Sequence, residues 1–211
     1  QNNIVCSKIV CMRIKTMVLG ELSTNCYVVS SVQDDHAAII DPGDEANHIQ
    51  DYILQNNILP KAILLTHGHF DHILAAHELS INFQIPIYMS KKDSFLTERM
   101  VETAEHFLGK GIYLKPQHFI NVKDGDEIHI GKINFYVISI PGHTPGSVGY
   151  KTDSSIFSGD LLFEDGRVGE YRHKYSSYKD LMASIEKIKK LGSGITLYPG
   201  HGNPVSIRDL Q

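Results

Sequence analysis

The 211-residue chain carries 20 Lys and Arg against 24 Asp and Glu, a formal charge of −4, with 42% hydrophobic and 21% charged residues. That composition is ordinary for a globular protein, long enough to bury a sizeable core as one domain, and it excludes wholesale disorder. No apolar stretch approaches the roughly 18 residues of a transmembrane helix, and no run of Lys or Arg exceeds a pair, which argues against membrane and nucleic-acid partners. The start, from Gln1 to Cys11, does not read as a signal peptide. Its apolar run Ile4–Met12 is broken by Ser7 and Lys8, and no small-residue cleavage site follows. Met12 fits an initiator, which makes residues 1–11 an N-terminal extension and 12–211 a single domain. Cys6, Cys11 and Cys26 cannot all pair with one another, so the expectation is a reducing, cytoplasmic setting.

Taken in chain order, residues 12–19 and 25–32 read as strands, with Leu22–Asn25 as the turn between them. Ala37–Ile40 is a short apolar strand closed by the turn signal Asp41-Pro42-Gly43. Ala46, Ile49, Tyr52, Ile53 and Leu54 give Asp44–Asn57 a helical period. Ala62–Leu65 is a buried strand, Ile73–Asn82 a helix, Ile85–Met89 a strand and 91–109 mostly helical. Glu127–Ile130 and Ile133–Ile140 form a hairpin at Gly131-Lys132, followed by short strands at Val148–Lys151 and Ser155–Phe157. Tyr178–Leu191 is an amphipathic helix and Ile195–Tyr198 a last strand. Strands interleaved with helices in two similar halves predict sheets covered by helices.

Twelve histidines are many for this length, and their placement is informative. Strand 62–65 runs into Thr66-His67-Gly68-His69-Phe70-Asp71-His72. Imidazole and carboxylate both suit zinc, and imidazole also suits iron. An extended loop leaving a strand aims residues at spacing two together, while the adjacent Asp71 and His72 are free to serve a second ion. Three more apolar strands end in chemistry of the same kind: 133–140 in Pro141-Gly142-His143, 155–158 in Gly159-Asp160 and 195–198 in Pro199-Gly200-His201. Open sheets place their sites at such strand ends. His36, His48, His77, His106, His118, His129 and His173 sit in ordinary contexts and read as surface, capping or packed residues.

The series His67-x-His69-x-Asp71-His72, His143, Asp160, His201 resembles the metallo-β-lactamase-fold hydrolases over nearly the whole chain from Met12 onward. The resemblance implies an α/β fold, a four-layered αβ/βα sandwich. It implies His67, His69 and His143 as ligands of one metal, Asp71, His72 and His201 as ligands of a second, and Asp160 as the carboxylate bridging both. It implies two divalent ions, Zn2+ first with Fe or Mn as alternatives, and a shared hydroxide that attacks a carbonyl or phosphorus. Asp71 is the candidate base orienting that hydroxide.

Within the fold, zinc β-lactamases of the commonest class carry Cys where Asp160 stands, and the late spacings leave no room for a nuclease insert. Asn25-Cys26-Tyr27, Asp41-Pro42-Gly43, Pro141-Gly142-His143-Thr144-Pro145-Gly146 and Gly159-Asp160-Leu161-Leu162-Phe163 look like the glyoxalase II-like group, whose best-known members hydrolyse glutathione thioesters. Two features depart from it. That group's C-terminal helical domain does not follow His201, and its glutathione tyrosines fall near Gly169 and Gly202-Asn203. Arg167 is then the candidate carboxylate anchor, with Tyr171 or Arg172 as substitutes for the missing tyrosine. The expected activity is hydrolysis of a small thioester or ester by a monomer or homodimer. The alternatives are a mononuclear-iron persulfide dioxygenase using His67, His143 and Asp160, whose usual Gly-Arg-Thr-Asp reads Gly166-Arg167-Val168-Gly169 here, and a lactonase.

Overall fold

The computed structural model describes residues 2–6, 11–111, 113–192 and 194–210. Two sheets lie face to face. The first runs in the order β1 (Asn2–Cys6), β2 (Cys11–Leu19), β3 (Thr24–Ser31), β4 (His36–Ile40), β5 (Leu59–Leu64), β6 (Ile87–Met89) and β7 (Ile120–Asn121). Its helices are α1 (Ala46–Gln55), α2 (Phe70–Ile73), α3 (Ala76–Phe83), α4 (Ser94–Glu98) and α5 (Met100–Leu108). The second sheet contains β8 (Glu127–Ile130), β9 (Ile133–Ser139), β10 (Val148–Lys151), β11 (Ser155–Gly159), β12 (Thr196–Pro199) and β13 (Val205–Ser206), with α6 (Tyr178–Lys189) preceding β12.

Period-two alternation builds the layers. Along β3 and β4, Tyr27, Val29, Ala38 and Ile40 enter a core shared with Phe135, Val137, Tyr150, Phe157 and Tyr198 of the other sheet. Their neighbours Cys26, Val28, Ala37 and Ile39 face the opposite way, onto Ile49 and Ile53 of α1 and Leu79 of α3. On the second sheet Ile156 and Leu197 turn outward to Leu181, Ile185 and Ile188 of α6. Strands buried on both faces read as continuous apolar runs for this reason. The result is helix, sheet, sheet, helix, the αβ/βα sandwich the sequence suggested.

Strand direction then fixes where the site lies. β4, β5 and β6 are parallel, β11 and β12 are parallel, and β9 runs the same way as β11 because β10 is antiparallel to both. The C-terminal ends of β4, β5, β9, β11 and β12 therefore reach one edge of the sandwich.

Three details differ from the sequence expectation. The helix expected over Ile73–Asn82 begins earlier and comes in two pieces, because the Ala75 N–H turns away to Pro42 O at 3.1 Å. Asp71 and His72 thus ride on a helical turn. Residues 2–6 of the expected extension pair with β2 in register Asn2↔Lys15 to Cys6↔Cys11, while Gln1 and residues 7–10 lie outside the described residues. Cys11 takes part in a disulfide and Cys26 is a free, buried thiol, so cysteine usage no longer argues for a reducing compartment. No helix among the described residues is long and apolar enough to cross a membrane.

Candidate metal centre

Four strand ends deliver the donors of the site. After β5 the chain stays extended to His69 (φ −69°, ψ 145°), which caps α2, and α2 presents Asp71 and His72 one turn on. His143 follows β9, Asp160 follows β11 and His201 follows β12. His67, His72 and His143 are buried, and His201 keeps one side toward solvent.

Each imidazole has an outer nitrogen tied to the protein and an inner nitrogen turned to a common centre. His143 Nδ1 lies 2.7 Å from Glu170 O, His201 Nδ1 3.2 Å from Ser23 O, and His72 Nδ1 3.0 Å from Asp41 Oδ2. Carbonyl and carboxylate oxygens only accept, so these outer nitrogens donate, and in the neutral rings the inner Nε2 is the lone-pair nitrogen. Thr66 spends its hydroxyl proton on Asp41 Oδ2 at 2.6 Å, leaving its oxygen to accept from His67 Nδ1 at 3.1 Å. His69 is turned the other way, with Nε2 on Tyr175 Oη at 2.8 Å and Nδ1 inward.

The inner atoms crowd together. His69 Nδ1 is 2.8 Å from His143 Nε2 and 3.1 Å from His67 Nε2. Bare lone pairs at that separation repel unless a cation or a proton lies among them. A second set sits beside the first: Asp71 Oδ2 is 3.5 Å from both His72 Nε2 and His201 Nε2. Asp160 lies between the sets, with Oδ1 3.5 Å from His72 Nε2 and Oδ2 3.7 Å from His143 Nε2 and 3.6 Å from His201 Nε2. His72 Nε2 and Asp160 Oδ1 are fully buried and make no hydrogen bond. Orphaned buried polar atoms, inward lone pairs and two nitrogen–carboxylate sets fit a pair of divalent cations, with outer-nitrogen partners of the kind that orient metal-bound histidines.

The two sets differ in charge. Burial, with the neighbouring imidazoles adding to it, pushes His67 well below the usual histidine range, and burial and His143 bring His69 down to about 3. Both are neutral donors at any ordinary pH. Burial opposes ionisation of the second set as well, but there the opposite charges win. Asp71 and Asp160 hold His72 well up, and the Asp71 hydrogen bond and Asp160 raise His201. In return His72 holds Asp160 far below the ordinary carboxylate range, and His72 with His201 lowers Asp71.

Several positioning residues carry no signal in the motif itself. Asp41 accepts from Thr66 N at 2.7 Å as well as from His72, and its backbone sits in the left-handed region (φ 48°), a strained state for a non-glycine residue. Asp93 is wholly buried and accepts from Gly68 N (3.0 Å), Thr144 Oγ1 (2.6 Å) and Gly146 N (2.7 Å), tying the His67–His69 loop to the His143 loop. Asn25 Nδ2 donates to Pro199 O and Gly202 O, and Tyr27 Oη to Pro199 O, which fixes the His201 loop. At Gly200 a Cβ would stand 2.2 Å from Asp160 Oδ1, so no side chain fits there. Gly169 is closed in the same way, its Cβ position lying 1.9 Å from Asp160 O.

The candidate substrate residues lie further out. Arg167 lines a pocket with Phe163, Glu164, Asp165 and His201, its guanidinium bonded to Asp165. Tyr171 packs on Tyr178 with ring centroids 4.8 Å apart, and Arg172 pairs with Glu170.

Comparison with known proteins bears directly on this arrangement. The model of the metallo-beta-lactamase superfamily matches residues 19–201. The hydroxyacylglutathione hydrolase GloC of Haemophilus influenzae is 35% identical over 201 residues, covering 93% of each chain. The probable metallo-hydrolase YqgX of Bacillus subtilis is 34% identical over 204 residues, covering 95% of each. The crystal structure of TTHA1623 in a di-iron-bound form superposes with a TM-score of 0.83 at 33% identity, covering 92% of this chain and 95% of that one. The chain belongs to the metallo-beta-lactamase superfamily, a family of metallo-hydrolases whose fold binds a dinuclear metal centre.

Proposed function

We propose that the protein is a dinuclear-metal-dependent hydrolase of a small thioester or ester, of the glyoxalase II-like kind. The observation that carries this reading is the pair of adjacent donor sets on either side of Asp160, with each imidazole's outer nitrogen tied and its inner nitrogen turned to the common centre. His67, His69 and His143 would hold one ion and Asp71, His72 and His201 the other. The similarity to a hydroxyacylglutathione hydrolase over 93% of the chain supports the thioester class. Zinc suits the nitrogen and carboxylate donors, with iron or manganese as the alternatives.

Bound divalent ions supply a nucleophile from water near neutral pH and an electrophilic contact for a carbonyl oxygen. The chain's own contribution is positional and protic. Asp71, whose Oδ2 accepts from the Thr24 hydroxyl at 3.1 Å, would accept the proton of the attacking water. Tyr175, Glu170 O, Asp41 and Ser23 O hold the imidazole rings in one orientation. Phe163 and His201 wall the side open to solvent. Arg167 can anchor a carboxylate only by giving up Asp165, an exposed pair of small stability.

Metal analysis on purified protein tests the reading, together with a panel of thioesters and esters. About two divalent ions per chain with thioester turnover is the expected result. One iron per chain with thiol-dependent oxygen uptake would overturn it in favour of the dioxygenase. Turnover confined to lactones would move the substrate class.

A further inference from the structure

Among the pockets that reach the donor cluster, those beside His201 and His69 differ in sign. One opens beside His201 and is lined by Glu164, Asp165 and Arg167, two carboxylates against one guanidinium already bonded to Asp165. The other opens beside His69 and is lined by Arg99, Met100, Thr103, His173 and Tyr175, with no carboxylate among its lining residues. Arg99 is its only formal charge, and it pairs with no carboxylate among the described residues. Tyr175 lines the same pocket and reaches the cluster, with His173 stacked on its ring at 5.1 Å and its hydroxyl on His69. A thioester or ester has two arms, one on each side of the carbonyl. With the carbonyl at the cluster, each arm has a pocket.

We propose that the pocket beside His69 receives a carboxylate-bearing arm of the substrate, and that Arg99, rather than Arg167, sets that specificity. The inference rests on the hydrolase reading and deepens it to an acidic thioester or ester. A free guanidinium offers a planar fork matched to a carboxylate. In a chain of net charge −4, a pocket whose only charged lining residue is an unpaired Arg is an anion site by its own electrostatics. In the pocket on the other side the guanidinium is already taken by Asp165 and a second carboxylate, Glu164, lies beside it.

The test uses the metal-loaded full chain and three thioesters: neutral propionyl-N-acetylcysteamine, succinyl-N-acetylcysteamine with the carboxylate on the acyl arm, and the propionyl thioester of mercaptoacetate with it on the thiol arm. The readout is the ratio of kcat/KM for each charged substrate to that for the neutral one. One charged thioester is preferred by about ten-fold or more through KM, and which one identifies the arm. Arg99→Gln abolishes the preference, Arg99→Lys keeps part of it and Arg167→Gln keeps it whole. No preference in the unaltered protein, a preference that survives Arg99→Gln, or one lost in Arg167→Gln overturns the proposal. Calorimetric binding of the thioether analogue of succinyl-N-acetylcysteamine, with CH2 in place of the carbonyl, separates this from the hydrolase reading. If no thioester is turned over, the hydrolase reading fails. An about ten-fold weaker Kd in Arg99→Gln still supports the anion site, and an unchanged Kd removes it.

Discussion

The two halves of the donor cluster use the same side chains to different electrical ends. His67, His69 and His143 form a half with no carboxylate of its own, sealed by Asp93 beneath and by Tyr175 at the rim. Asp71, His72 and His201 form a half in which neighbouring carboxylates raise the imidazoles above the ordinary histidine range. The contrast comes from helix α2. It places Asp71 next to His72, whereas the extended segment before it sends only imidazoles inward. Imidazoles on a strand extension and on a helical turn thus meet different electrical surroundings.

Four changes would break or sharpen that contrast. Asp71→Asn removes the ionic half's own carboxylate and the candidate base, and turnover should fall about a hundred- to a thousand-fold. Metal analysis should still find the ion of the histidine half, and loss of both ions would mean the halves are not separable. Asp93→Asn sets an amide N–H2 against a buried N–H or hydroxyl, and the affinity of the histidine half should drop about ten- to a hundred-fold, read by competition with a chelator. An effect on the other half instead would contradict the role given to Asp93.

The third is a pH effect of a few fold. His67 and His69 are already neutral near pH 7, but His72 and His201 lie above the ordinary histidine range, so ions entering their half must expel protons. Affinity of that half should rise with pH, and calorimetry in buffers of different ionisation enthalpy should find proton release confined to one equivalent. The smallest effect lies off the site. Asp124 is held below the usual carboxylate range by the Ser139 N–H and by Lys187 at 3.0 Å. Such a group adds stability above the ordinary carboxylate range and loses it as pH falls through the lowered value. Lys187→Ala should cost under about 1 kcal/mol in thermal unfolding and leave metal content unchanged.

The central strands and the clustering of the seven candidate donors were legible because each apolar run ends in an abrupt switch to Gly, His and Asp. Turn chemistry also marked Asp41-Pro42-Gly43, though not that Asp41 would orient His72. β7 and β13, two residues each, offer no periodicity, and β1 lay in a stretch read as an extension. Asp93, Tyr175 and Arg99 escaped for another reason. Asp93 reaches Gly146 across 53 residues and Tyr175 reaches His69 across 106, and a lone Asp, Tyr or Arg on a helix or loop looks like surface. Only the folded chain gives Asp93 and Tyr175 their partners and sets Arg99 in a pocket beside His69.

The Asn25 and Tyr27 bonds to the Pro199–Gly202 segment span more than 170 residues. They join the first sheet to the strand that carries the last donor. During synthesis His67, His69 and His143 emerge long before His201, so the imidazole half can gather while the ionic half still lacks a ligand. Closing that contact is a late, high-contact-order event. Uptake of the second ion is then a chemical record that the sandwich has shut, and a chain stalled before β12 would carry at most a half-filled centre.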